Sequence, residues 1–257
     1  MTSLPRALCI AAYTVLEARR ARLLWLLVGV LAGLAVATGF VSALALTETA
    51  RVRIGFFASA SRVALVLVLC LHVTFSALRE HNDRSMELTL ALALPRGAYY
   101  LGKLLGYCAV GVTAAALATV ALALSTAPGT ALAWGCSLAL ELILVVCVTM
   151  FAATALRQAA SVVCLSLGFY LLARSIAAVQ LMSHSQLLDP AAWSARLSSG
   201  TAELLALLLP DLSRFTLTDW LLPEAPTIDL LYPAMQTAIY AALLAVAGIL
   251  ELQRTSL

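Results

Sequence analysis

An uncharged apolar run at residues 23–46 constrains the fold of this chain more than any other feature of its sequence. As a helix rising 1.5 Å per residue, the run would be about 36 Å long. That length exceeds the roughly 30 Å of hydrocarbon in a bilayer, so the run is typical of a tilted transmembrane helix.

The composition of the whole chain indicates the same class of protein. Hydrophobic residues make up 63% of the sequence and charged residues 11%, whereas about 25% of the residues in soluble domains are charged. These values predict an integral membrane protein. The net charge of +3 comes with no basic stripe, so no nucleic-acid partner is predicted.

The apolar runs divide the chain into six predicted membrane spans. Residues 4–22 mix apolar side chains with arginines and are predicted to form an amphipathic helix in the membrane interface, with Leu8, Ala12, Val15 and Leu16 on one face. The fold class predicted is an all-α integral membrane protein with a large outer loop between its fifth and sixth transmembrane helices. The chain is treated as one transmembrane domain, 1–257, with spans at about 23–46, 54–78, 99–126, 131–156, 159–182 and 234–250, a charged connection at 79–98 and the outer loop at 183–233.

The distribution of basic residues predicts the orientation, because cytoplasmic loops carry an excess of lysine and arginine. Ten basic residues fall on the face that holds both termini, and five fall on or near the other face. Both termini and residues 79–98 are therefore predicted to be cytoplasmic. The ten are Arg6, Arg19, Arg20, Arg22, Arg79, Arg84, Arg96, Lys103, Arg157 and Arg254; the five are Arg51, Arg53, Arg62, Arg196 and Arg214.

No catalytic motif is found in the sequence. It has no GxxxxGK[ST] phosphate loop, no HExxH and no GxSxG, so the chain is not predicted to bind ATP or to be an enzyme by itself. The six cysteines are scattered singly without a CxxC pair, which favours packing roles over a metal site or a disulfide.

Three ionisable residues lie inside the predicted spans: His72, Glu141 and Arg174. A charge at the centre of a membrane costs on the order of 3 kcal/mol by insertion scales, so each charge needs a partner or a wet cavity. Glu141 and Arg174 are roughly 15 Å and 12 Å from the outer ends of consecutive antiparallel spans. They are predicted to pair, either to lock two helices together or to contact a substrate, whereas His72 is predicted to be a packing residue. Arg62, nearer the outer face, is predicted to snorkel to the interface.

A highly charged segment, residues 79–103, separates the second span from the third. Its apolar stretch 88–94 is too short to cross a bilayer, so the segment must lie at a membrane face. An ordinary solvated loop is one reading, and a docking surface for a soluble partner is the other.

Two segments resemble type-2 ABC exporter permeases. Residues 79–103 are similar to the cytoplasmic connection of these proteins, with Arg84 where glycine is common and Pro95 two residues late. Residues 208–221, LLPDLSRFTLTDWL, are similar to the LP-x-L-x-x-F segment of the multi-copper-enzyme-maturation branch. The matching residues in the first segment are Arg79, Glu80, Ser85, Glu87, Arg96, Gly102 and Lys103.

The resemblance implies a permease subunit that transports a substrate with energy from a separate protein. Two cytoplasmic ATPase subunits would hold the ATP and Mg, and a second permease copy, identical or related, would complete the membrane unit. The outer loop is a candidate surface for an outward-facing accessory protein. The resemblance makes the whole chain a permease domain and residues 79–98 its coupling segment. The implied ATPase-coupling surface consists of Arg79, Glu80, Asp83, Arg84, Glu87 and Arg96, with Lys103 as an interfacial anchor.

The alternatives are a channel or a non-transporting membrane scaffold that docks a cytoplasmic partner. An intramembrane hydrolase ranks last, since no nucleophile and base share a depth. The bias towards Ala, Leu and Arg indicates a bacterial protein, and hence the inner membrane as its location.

Overall fold

The computed structural model describes residues 3–44, 49–82, 95–183, 209–221 and 229–254. Three residues of the predicted coupling surface, Asp83, Arg84 and Glu87, lie outside these ranges. So does most of the outer loop, of which residues 209–221 and 229–233 are described.

The described parts of the chain contain seven α-helices. Six of them, α2 to α7, are long and apolar enough to cross a membrane, which confirms the predicted all-α integral membrane fold. The helices are α1 (Ser3–Arg20), α2 (Leu23–Leu44), α3 (Thr49–Asn82), α4 (Arg96–Ala123), α5 (Pro128–Leu156), α6 (Ala159–Ser183) and α7 (Leu231–Arg254).

Several helices continue beyond the predicted spans. Helix α3 begins five residues before the span predicted at 54–78 and ends four residues after it. Hydropathy reports where the apolar stretch stops, whereas helical hydrogen bonding continues through the polar residues at each end. Helix α4 begins at Arg96, directly after Pro95, whose extended backbone (φ −63°, ψ 130°) marks the start of the helix.

Helix α5 lies at the centre of the bundle. Of its apolar stretch 72% is buried, against 17% for each of the peripheral helices α2 and α7. Trp134, Leu138, Leu142 and Val146 follow one another at intervals of four residues on α5 and are fully buried. Helices α3, α4, α6 and α7 all pack against α5.

Helix α1 packs along α4, and two glycines make the close approach possible. A Cβ atom on Gly106 would lie 2.5 Å from the Cβ of Thr14, and one on Gly102 would lie 2.7 Å from the Ala7 carbonyl oxygen. Glycines four residues apart allow two helices to come together in a membrane.

Arg96 at the start of α4 contacts Leu252 and Gln253 near the end of α7. Lys103 of α4 contacts Glu17 of α1. The end of the bundle where these residues meet is here called the termini end, and the other is the loop end.

The two faces of α1 have different surroundings. Leu8 and Leu16, predicted to lie on its interfacial face, are 57% and 41% exposed in the protein. Ala7, Thr14 and Ala18 are buried instead. The small residues thus face the bundle, and the larger apolar residues face outward, where a bilayer would cover them.

Candidate functional site

A segment of the outer loop folds onto the loop end of the bundle. Residues 209–221 contain two short 3-10 turns, and the Asp211 carboxylate begins the first by accepting a hydrogen bond of 3.1 Å from the Ser213 amide. Leu212 and Phe215 are fully buried, and Trp220 and Leu221 are nearly so. The segment therefore has an apolar side that packs against the bundle.

Thr216 is the polar centre of this segment. It is fully buried, with a left-handed backbone (φ 46°). Its hydroxyl donates to Glu141 Oε2 at 2.8 Å, and its amide donates to the Ser137 hydroxyl at 3.0 Å. Both partners belong to α5, so Thr216 attaches the segment to the central helix.

Arg174 of α6 binds the same segment from the other side. Its Nη1 atom donates to the carbonyl oxygens of Leu212 and Phe215, the second at 2.9 Å. The same atom lies 3.9 Å from Glu141 Oε1. The structure thus brings the predicted pair Glu141 and Arg174 together, and it also gives the arginine two backbone acceptors that the sequence did not indicate.

Arg62 of α3 completes the group. Its Nη1 donates to the Thr216 hydroxyl at 3.2 Å and to the Thr216 carbonyl oxygen at 3.4 Å. The side chain turns into the bundle, although the sequence predicted that it would snorkel to the interface. Arg62 lies about 12 Å from the outer end of the predicted second span, the same depth as Arg174. This shared depth could have indicated from the sequence that the two arginines belong to one cluster.

These residues form what is here called the loop-end cluster, which holds two arginines and one glutamate. The Glu141 carboxylate is completely buried: its Oε2 accepts from the Thr216 hydroxyl, whereas its Oε1 lies 3.9 Å from Arg174 and accepts no hydrogen bond from a described residue. The cluster connects α3, α5 and α6 through a single loop segment. Its members are Arg62, Ser137, Glu141, Arg174 and Thr216.

Lys103 lies at the opposite end of the bundle and is the one lysine in the sequence, against fifteen arginines. It was predicted to be an interfacial anchor, but its side chain is only 4% exposed. Its ammonium group pairs with Glu80 at the end of α3 and lies 3.5 Å from Glu17 Oε2 on α1. Two carboxylates thus hold Lys103 inside the protein, in place of the lipid headgroups.

Hydrogen bonds extend this ion pair into what is here called the termini-end network. The Tyr99 hydroxyl donates to Glu80 Oε2 at 2.7 Å, and the Ser76 hydroxyl donates to Glu17 Oε1 at 3.1 Å. Tyr107 in turn donates to the Ser76 hydroxyl at 2.9 Å. The network joins α1, α3 and α4, and its members are Glu17, Ser76, Glu80, Tyr99, Lys103 and Tyr107.

The described residues of the predicted coupling surface have three different environments. Arg79 is exposed on α3, and Glu80 belongs to the termini-end network. Arg96 donates to the carbonyl oxygens of Leu252 and Gln253, at 3.3 Å and 3.4 Å. A cation there stabilises the C-terminal end of α7, so Arg96 and Glu80 are both used in holding helices together.

His72 contacts an aromatic ring of the network. Its ring meets that of Tyr107 edge to face, with 6.2 Å between the ring centroids. The side chain is half-buried on α3 and also borders a cleft between α2 and α3. This contact is compatible with the packing role predicted for His72.

Comparisons with known proteins add no family assignment. No protein-family model matches the chain, and no curated protein matches its sequence. Among the residues that the structure describes, no group of three or more His, Cys, Asp or Glu side chains is placed to hold a metal ion.

Proposed function

We propose that the chain is a permease subunit of a type-2 ABC exporter in a bacterial inner membrane. It would move its substrate with ATP hydrolysed by a separate cytoplasmic subunit. The resemblance of residues 79–103 and 208–221 to these permeases is the origin of the proposal, and six membrane-spanning helices fit it.

The observation that best supports the proposal is the pairing of Glu80 with Lys103. These residues belong to the end of α3 and the start of α4, the helices on either side of the proposed coupling segment. Lys103 also lies beside Glu17 of α1. A force applied by an ATPase to the connection would therefore move α1, α3 and α4 together.

Helix α3 provides a route from this connection to the loop end. It is one continuous helix of 34 residues, with Glu80 in the termini-end network and Arg62 in the loop-end cluster. The two residues are 18 positions apart, or roughly 27 Å along the helix. A rigid displacement of α3 would thus reach residues 209–221.

The assembly that we propose contains two copies of the permease and two ATPase subunits. The second permease copy is this chain or a related one, and ATP with Mg is bound by the ATPases. Both termini are cytoplasmic in this arrangement. The outer loop is then available to an outward-facing accessory protein.

The coupling surface can be tested by reversing the charges at positions 83 and 87, which the sequence places between Glu80 and Arg96. We expect Asp83→Lys with Glu87→Lys to lower recovery of the ATPase on the tagged permease by at least about tenfold, since like charges across an interface cost several kcal/mol and each 1.4 kcal/mol is tenfold. Co-purification from gently solubilised membranes measures this recovery.

Arg254→Glu is the matched control, because Arg254 is exposed at the same end of the bundle but lies on α7. This variant should retain the ATPase. Undiminished recovery with the double reversal, in protein of normal yield and melting temperature, would exclude residues 83 and 87 from the docking surface. A partner that binds but shows no ATP hydrolysis would favour a scaffold.

A further inference from the structure

A cleft of about 450 Å³ lies beside the corner between α1 and α2, at the termini end of the bundle. Its volume is within the range of about 300–1,000 Å³ that is usual for sites of small molecules. Leu26, Leu71 and Phe75 contribute apolar walls, while His72, Ser76 and Arg79 contribute polar groups. The cleft shares no residue with the loop-end cluster, and Arg79 is the one residue that it shares with the proposed coupling surface.

One face of α3 forms the length of the cleft and changes from apolar to polar along it. Val68, His72, Phe75 and Arg79 follow at intervals of three or four residues and so lie on the same side of the helix. From Val68 to Arg79 the distance is roughly 16 Å, close to the roughly 15 Å of hydrocarbon in one leaflet. The cleft therefore has the length of a lipid chain, with its charged end at the membrane face.

The charges around the cleft favour an anionic occupant. Glu17 accepts a hydrogen bond from Ser76 and shares Lys103 with Glu80, so it is a single, partly compensated carboxylate facing several arginines. Arg79 is exposed and makes no hydrogen bond or ion pair with another described residue. Three more exposed arginines adjoin Ala21, which lines the cleft: Arg19, Arg20 and Arg22.

We propose that this cleft binds one anionic phospholipid. An acyl chain lies along α3 between Leu26 and Phe75, and the phosphate accepts hydrogen bonds from the Arg79 guanidinium. His72 lies below the headgroup, where the lipid ester groups and accompanying water satisfy its ring nitrogens, while the Ser76 hydroxyl is satisfied by Glu17 and Tyr107. The headgroup and ester region of the bound lipid would thus cover the polar residues of α3, which would otherwise face hydrocarbon.

The proposal is independent of the ATPase, because it concerns the permease chain alone. The chain is purified from membranes, equilibrated in detergent with equal amounts of phosphatidylglycerol and phosphatidylcholine, and examined by native mass spectrometry. We expect the chain to retain one phosphatidylglycerol molecule in preference to phosphatidylcholine. Arg79→Gln should weaken its retention at least about fivefold, since a basic residue near the headgroups contributes about 1 kcal/mol.

A second pair of variants tests the apolar part of the cleft. Leu26→Trp places a larger side chain in its wall, and we expect this change to reduce retention of both lipids. Val28→Trp is the control, because Val28 is exposed on the same helix but does not line the cleft. For Arg79→Gln the control is Arg254→Gln, at the same end of the bundle.

Both controls should bind phosphatidylglycerol as the unmodified chain does. Equal retention of the two lipids by the unmodified chain would overturn the proposal, as would full retention of phosphatidylglycerol by Arg79→Gln. Because Arg79, Leu26 and Val28 are all exposed, none of these changes removes a core contact. A melting curve for each variant checks that it is folded.

Discussion

Glu141→Ala is expected to destabilise the chain by about 3–5 kcal/mol, the usual cost of removing one partner of a buried ion pair. The change leaves Arg174, whose side chain is 23% exposed, without its carboxylate, and it leaves the buried Thr216 hydroxyl without its acceptor. It should also loosen residues 209–221 from the bundle. Unfolding in detergent, followed by circular dichroism, measures the loss.

Glu141→Gln is the matched control, since the amide oxygen can still accept from Thr216 while the charge is lost. We expect a smaller loss of stability for this variant than for Glu141→Ala. A double-mutant cycle of Glu141→Ala and Arg174→Met measures the interaction between the two side chains. The losses of stability in the two single variants should add to more than the loss in the double variant. Strictly additive losses would show that Glu141 and Arg174 do not interact.

Lys103→Met is expected to lower the free energy of unfolding by about 3 kcal/mol, the lower end of the range for breaking a buried ion pair. The loss is at the lower end because Glu17 and Glu80 are partly exposed, so water compensates their charges in part. Methionine keeps the apolar stem of the side chain but removes the charge from between Glu17 and Glu80. The contacts that join α1 to α3 and α4 would then weaken. Increased trypsin cleavage at Arg19 and Arg20, in the last turn of α1, and at Arg22 after it measures this release.

The single lysine also permits a direct chemical measurement of the native protein. Because the ammonium group of Lys103 is buried and paired, an amine-reactive reagent should leave Lys103 unmodified in the folded chain and modify it after unfolding. Glu80→Gln should raise the extent of labelling at Lys103, as read by peptide mass spectrometry. Glu251→Gln, at the same end but outside the network, provides the control. Rapid labelling of Lys103 in the unmodified protein would contradict the buried position.

Depth in the membrane could be predicted from the sequence, because a helix advances by a constant distance per residue. That rule places Glu141 and Arg174 at similar depths, and the structure brings them within 3.9 Å. The contribution of Thr216 could not be predicted in the same way. It lies 75 positions from Glu141, within a loop whose path into the bundle has no periodic signal.

The direction of a side chain around its helix was the other quantity that the sequence left open. Lys103 and Arg62 both occur near the ends of apolar runs, where long basic side chains commonly reach towards the headgroups. Lys103 turns inward because Glu17 and Glu80 meet it from two other helices, and Arg62 turns inward towards Thr216. Such long-range partners decide the direction, and a single sequence does not reveal them.

The face of α1 that packs on the bundle could not be predicted from the sequence either. Leu8 and Leu16 form an apolar face that is easily recognised, yet they remain exposed. The packed face is defined by the small residues opposite Gly102 and Gly106. In a membrane protein both the lipid-facing and the packed surfaces are apolar, so hydrophobicity alone does not distinguish them.

The permease assignment is tested most directly by purifying the tagged chain from gently solubilised membranes of its own host and assaying ATP hydrolysis in the product. The assignment predicts an ATP-binding subunit in equal amount with the permease, with hydrolysis that depends on the complex. Recovery of a stable, folded chain without such a subunit and without ATP hydrolysis would contradict it.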